Sequence, residues 1–299
     1  MFKNVLVGVD GRPNGRDAVA LASRLADTAG RLTLAHVYSG ELNPSHAITP
    51  GLVREEQDAS AKLLEGELAA ADLDAELVSV VAMSPGRGLH RQAEDQGADL
   101  LVVGSCSHGA FGRAMLGDDT RAALNGAPCA VAIATLGYAT HRPPLARIGV
   151  GYNGSPEGRG ALETARELAA AIGATVHARE VVSIPSVAYV GFIPPLLGDS
   201  MNELLQDAQG RMSALPDVDG SAVYGITGEE LAAFSEEVDL LVVGSRSYGP
   251  VKRLVVGSTS NYLERHARCA LLVLPRPHAS GGEQSEHAAS LVSALPSPR

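Results

Sequence analysis

The chain contains the same unit twice, and this duplication constrains its fold more than any other feature. "NVLVGVDGRPNGRDAVALASRLA", near the start, aligns with "RIGVGYNGSPEGRGALETARELA" from Arg147 on, which pairs Asp10 with Asn153. Further along, "VVGSCSHGAFGRAMLGDDT" from Val102 aligns with "VVGSRSYGPVKRLVVGSTS" from Val242. Gly104, Ser107 and Gly117 thereby pair with Gly244, Ser247 and Gly257. A repeat this long means duplicated domains, because the units of solenoid proteins are a fraction of this length. The 299 residues, 45% of them hydrophobic, supply enough apolar side chain for two cores.

Within each copy, short β-branched runs alternate with longer amphipathic stretches. The first copy reads as strand "NVLVGV", helix over 14–29, strand "RLTLAHVY", helix over 52–71, then strand "AELVSVVA" and a helix over 87–96. Strand "DLLVVGS", a helix over 118–126 and strand "CAVAIAT" complete it. Runs such as "LLVV" need cover on both faces, which a parallel sheet between two helical layers provides. With right-handed crossovers, the expectation is an α/β protein of two tandem doubly wound domains, each a five-stranded parallel sheet flanked by helices. The second copy repeats the order with a short third strand about "SAVYG". The expected boundaries are 1–136 for the first domain, a Pro-containing linker at 137–145, the second domain at 146–275, and a Gly/Ser/Pro-rich disordered tail at 276–299. Duplicated domains of this kind are expected to pair their last strands about a pseudo-two-fold axis, and two chains to associate as a homodimer.

A net charge of −10 opposes broad contact with nucleic acid or anionic membrane. No window approaches eighteen uncharged apolar residues, and the start of the chain runs directly into a strand pattern, so a soluble cytoplasmic protein is expected. Cys106, Cys129 and Cys269 are too widely spaced for a disulfide framework or a paired metal motif. Cys129 and Cys269 fall at matching places in apolar runs and read as core, while Cys106 lies in the first glycine loop without a basic neighbour that would activate it. His36, His108 and His177 show neither zinc spacing nor a triad pattern. No pair of carboxylates stands out as acid and base, so the chain reads as a binder and not an enzyme.

In a doubly wound sheet, ligands sit beyond the carboxyl ends of the strands where the strand order reverses. Both glycine loops follow such an end. Gly104 or Gly244 lets the chain turn off the strand, and Gly117 or Gly257 permits close approach just before a helix, whose start offers unpaired N–H groups and partial positive charge. Ser258, Thr259 and Ser260 add hydroxyl donors, and Lys252 and Arg253 lie in the same loop, where they serve either the anion or solvent. The second copy is therefore suited to phosphate. The first copy presents Asp118 and Asp119 instead, whose like charge would oppose phosphate by roughly 1–4 kcal/mol, unless they act simply as helix caps. After the first strand, Asp10 and Gly11 of the first copy face Asn153, Gly154 and Ser155 of the second. Asp10 suits sugar hydroxyls or a cation and Asn153 suits hydroxyls, although each also fits a plain Asx-Gly turn.

Taken together, "VGVDG" at the start of a five-stranded unit, a G-x2-G-x9-G-[ST]-like loop and "APC" before the last strand resemble the universal stress protein family. Two such units resemble its tandem members. The resemblance implies ATP or a related adenine nucleotide as ligand, with or without Mg²⁺, and a regulatory role in the stress response. It places the phosphate side at Gly244, Gly257, Ser258 and Ser260 and the base beside Val181, with Asp10, Val37, Gly104 and Gly117 as their first-copy matches. Ser107 and Ser247 stand where the family has its middle Gly, and Asp118 where it has Ser or Thr. These departures support a second hypothesis, a nucleotide-free stress protein that binds a protein partner through the Pro-rich segment 183–199. A slow ATPase ranks third.

Overall fold

The computed structural model describes residues 1–39, 50–105, 118–141, 143–183, 195–245, 254 and 257–276, with side chains omitted at 50–53, 118–120 and 195–200. The first half runs β1 (Phe2–Gly8), α1 (Pro13–Leu25), β2 (Ala26–Tyr38), α2 (Pro50–Ala71), β3 (Glu76–Val81), α3 (Pro85–Gln96), β4 (Leu100–Gly104), α4 (Asp118–Leu124) and β5 (Ala130–Ala134). After a short helix α5 (Tyr138–His141), the second half repeats the order. It runs β6 (Arg147–Gly151), α6 (Pro156–Ile172), β7 (Thr175–Ser183), α7 (Pro195–Ser213), β8 (Asp219–Gly225), α8 (Thr227–Phe234), β9 (Leu240–Gly244), α9 (Ser258–His266) and β10 (Ala270–Leu274).

All ten strands join in one sheet, ordered β3-β2-β1-β4-β5-β10-β9-β6-β7-β8. Within each half the pairing is parallel, and the last strands meet antiparallel, with Leu272 opposite Ala132. The apolar runs are buried on both faces because alternate residues serve different layers. Leu100 and Val102 point into one core layer, Leu101 and Val103 into the other. Proline opens α1, α3 and α6, where its missing N–H costs nothing, and left-handed Gly97 and Gly173 close α3 and α6. The third helix is shorter in the second half, with 8 residues against 12 in the first.

The helix expected over 14–29 ends at Leu25. Asp27 Oδ1 accepts the Ala29 N–H in an Asx turn, and Phe2 of β1 pairs with Ala26, so the sheet claims these residues. The ladder between β1 and β2 shifts register just after Phe2. At Gly30 a Cβ would stand 2.8 Å from the Lys3 carbonyl, so glycine is what lets the two strands approach there. The third strand of the second half extends over Asp219–Gly225, longer than "SAVYG" alone. The segment between the halves is packed: Tyr138 and Leu145 are buried, and Asp17 of α1 accepts the N–H groups of Gly137 and Ala139. The 276–299 tail lies outside the described residues apart from Arg276.

Candidate functional site

Strand order reverses between β1 and β4 and again between β6 and β9, and a cleft opens beyond the carboxyl ends of the strands at each place. The second-half cleft has a volume of about 600 Å³. One wall is apolar, formed by Val181 on β7, Leu231 on α8 and Val243 on β9. Val181 pairs with Val223 of β8, and Val37 pairs with Val80 of β3. Such a wall suits the face of a flat, weakly polar ring.

The start of α9 also lines the cleft. Gly257 is its N-cap, in extended conformation, with no side-chain hydrogen bond to the helix and no acid in the first turn. Arg265 occupies the last turn beside the buried Glu264. Thr259 and Ser260 line the cleft beside Gly257. Ser258 is exposed at the helix start and does not line it. Ser247, Lys252 and Arg253 lie outside the described residues.

Gly244 lines the cleft too, and the structure shows what demands glycine there. A Cβ would stand 2.7 Å from the Glu157 Cβ and 2.9 Å from its carbonyl oxygen, so the glycine admits the first turn of α6. Asn153 and Ser155 complete that corner. Asn153 Oδ1 accepts the Ser155 N–H at 3.2 Å, and Ser155 Oγ accepts the Gly158 N–H at 3.0 Å as the N-cap of α6. Gly154 holds the left-handed turn between them with φ of 71° and does not line the cleft. The Asx-Gly turn is thus built, and Asn153 and Ser155 line the cleft.

Among the lining residues that escaped the sequence reading, Ser245, Glu157 and Arg179 carry polar groups that bear on the site. Ser245 is buried and its hydroxyl has no hydrogen-bond partner among the described residues. Its signal was the Gly-Ser pair repeated at 104–105, where the Ser105 hydroxyl is likewise buried and unpartnered. Glu157 is also buried, its charge met by Arg276 at 3.6 Å, a residue from beyond the last strand. Arg179 lines the cleft but spends its guanidinium on both carboxylate oxygens of Glu237 at 3.1 Å and on the Phe234 ring.

The first-half cleft has a volume of about 120 Å³ and includes Asp10, Asn14, His36, Val37 and Gly104. Asp10 Oδ1 accepts the Arg12 N–H at 3.1 Å, and Gly11 takes φ of 74°, the same turn as at Asn153. His36 Nδ1 lies 2.9 Å from Ser60 Oγ, which contacts Ser79 Oγ at 2.8 Å. Burial lowers the His36 pKa below 6.5, against the pull of the Asp10 charge. Gly117, Ser107, Cys106 and His108 lie outside the described residues, as do the side chains of Asp118 and Asp119, the first residues of α4. Cys129 and Cys269 are buried, and burial pushes the Cys129 thiol up to about 12 and Cys269 higher still. Among the described residues, no group of His, Cys, Asp and Glu is arranged to hold a metal ion, and no helix is long and apolar enough to cross a membrane.

The family model described as the universal stress protein family matches residues 1–135 and again 145–275. The chain belongs to the universal stress protein family. As a tandem universal stress protein it is similar over its length to curated relatives. Universal stress protein Rv2005c of Mycobacterium tuberculosis is 27% identical over 293 residues, covering 90% of this chain and 96% of the relative. Universal stress protein Rv2623 of the same organism is 26% identical over 295 residues, covering 90% and 95%. Among solved structures, a universal stress protein from Archaeoglobus fulgidus superposes with a TM-score of 0.62 at 18% identity, covering 91% of this chain and 98% of that one, and shares the fold.

Proposed function

We propose that this universal stress protein binds ATP or a related adenine nucleotide in its second half and acts as a regulator of the stress response, without catalysing a reaction. The observation that carries the reading is that one cleft of about 600 Å³ is lined both by an apolar wall and by a helix start. The Gly257-capped start of α9 and the Ser245 hydroxyl, unpartnered among the described residues, call for an acceptor-rich anion. Val181, Leu231 and Val243 offer an apolar wall for a base. Asn153 and Ser155 line the same cleft, as hydroxyl partners for the sugar. Mg²⁺, if carried in, would arrive on the phosphates. The first-half cleft, at about 120 Å³, is too small for a triphosphate.

Titration calorimetry of the full chain with ATP tests the reading. Saturable binding is expected, weakened by Gly257→Asp, which sets a carboxylate at the anion end. Absence of binding at millimolar ATP, or binding undiminished by Gly257→Asp, overturns it.

A further inference from the structure

The anion end of the second-half cleft is tied to the first half of the chain on both sides of Gly257. Leu254 lies in the loop leading to Gly257, and its side chain is fully buried in the core layer that contains Leu124 and Ala127. Its backbone is tied to the turn after α4 in both directions: Leu254 N–H donates to the Ala127 carbonyl at 2.9 Å, and Gly126 N–H donates to the Leu254 carbonyl at 2.9 Å. Beyond Gly257, on α9 itself, Glu264 is completely buried and accepts from Arg121 of α4, with Nε at 3.0 Å and Nη2 at 2.6 Å. Arg121 also donates to Asn261 Oδ1 at 3.1 Å. The first turn of α9, whose Gly257, Thr259 and Ser260 line the cleft, is therefore bracketed by two anchors, one before it and one after it, both supplied by the other half.

We propose that Arg121 and the Gly126–Ala127 turn of the first half are positioning elements for phosphate recognition in the second half, a claim that rests on the nucleotide reading above. The pull of a helix start on an anion is confined to the first turn and depends on where its N–H groups point. Releasing either anchor lets α9 shift and weakens the hold on phosphate. Of the apolar wall, Val181 and Val243 belong to strands of the second half and only Leu231 sits on α8, which packs against Tyr262 of α9, so the hold on the base and sugar changes less than the hold on phosphate. The two halves then form one binding unit, in which the first contributes no contact of its own to the phosphates but sets the direction of those that do.

Calorimetry of the full chain with two probes, ATP and adenosine, tests this. Wild type is expected to bind ATP more tightly than adenosine. Arg121→Ala and Leu254→Ala are each expected to weaken ATP about tenfold, a typical size for coupling between sites, while adenosine stays within about twofold. Arg121→Lys, which keeps the charge but not the fork, is expected to fall between. If Arg121→Ala leaves the buried Glu264 too costly for folding, the paired replacement Arg121→Met with Glu264→Leu removes the ion pair and keeps the packing, and the same ATP-selective loss is expected. Leu25→Ala, a core change on α1 away from both anchors, is the control for lowered Tm without a change in the ATP-to-adenosine ratio. The proposal fails if the anchor variants bind ATP as wild type does, if they lose ATP and adenosine alike, or if the Leu25→Ala control shows the same selective loss. If wild type binds neither probe, the nucleotide reading fails first and this inference falls with it.

Discussion

Asp17, buried on α1, accepts the Gly137 N–H on one carboxylate oxygen and the Ala139 N–H on the other, each at 2.8 Å. A side chain near the start of the chain thus fixes the segment that leads out of the first half and caps the short helix α5 within it. Asp17→Ala leaves both N–H groups without their acceptor and is expected to cost about 1–3 kcal/mol in urea denaturation. Asp17→Asn, which retains one acceptor, is expected to cost less.

The strand-end glycines answer to helix packing. At Gly104 an added Cβ would lie 2.0 Å from the Asn14 carbonyl oxygen, and at Gly244 the nearest atom, the Glu157 Cβ, is at 2.7 Å. Backbone at such distances cannot move aside without shifting the helix. Gly244→Ala is expected to destabilise the protein by about 1–3 kcal/mol, as overpacking does, and Gly104→Ala by more. Thermal unfolding of the two variants side by side checks the order.

These glycines also show how far the sequence could be read. The duplication, the alternation of strands and helices and the pairing of Val37 with Val181 were legible because they rest on local hydrophobic periodicity and on comparing the chain with itself. Gly104 and Gly244 were found, but the reason for them was not, since Asn14 and Glu157 reach them only through the fold. Asp17 gave no signal because its counterpart in the second copy is Gly160, which has no following linker to clamp. Glu157 looked like an ordinary acid in a first helical turn, and its partner Arg276 lies at the far end of the second half. The end of α1 was misplaced because "ADTAG" continues a helical composition, and only its pairing with Phe2 turns it into strand.

His36 provides a pH dependence whose sign follows from its surroundings. Burial lowers its pKa below the ordinary 6.5, with Asp10 pulling the other way, so the unfolded chain takes up the proton more readily than the folded one. The stability due to neutral His36 is fully present above 6.5 and is lost as pH falls through 6.5 toward the lower folded value. Urea midpoints measured from about pH 7.5 down to about pH 5 should fall for wild type. His36→Gln keeps a polar partner for Ser60 but does not titrate, and its midpoints should fall less over the same window. Equal slopes for the two proteins would show that another group carries the dependence.

Ser245 separates binding from stability. Among the described residues its buried hydroxyl has no hydrogen-bond partner, so it is free to serve a ligand at little cost to the fold when removed. With Ser245→Ala, the stability of the ligand-free protein is expected to stay within about 0.5 kcal/mol of wild type. ATP affinity is expected to drop by roughly threefold to tenfold, the loss of one hydrogen bond to a charged oxygen. Ser105→Ala, at the equivalent place in the first half, should match it in stability and leave ATP binding unchanged. A Ser245→Ala protein that binds ATP as tightly as wild type would mean that the hydroxyl does not face the ligand.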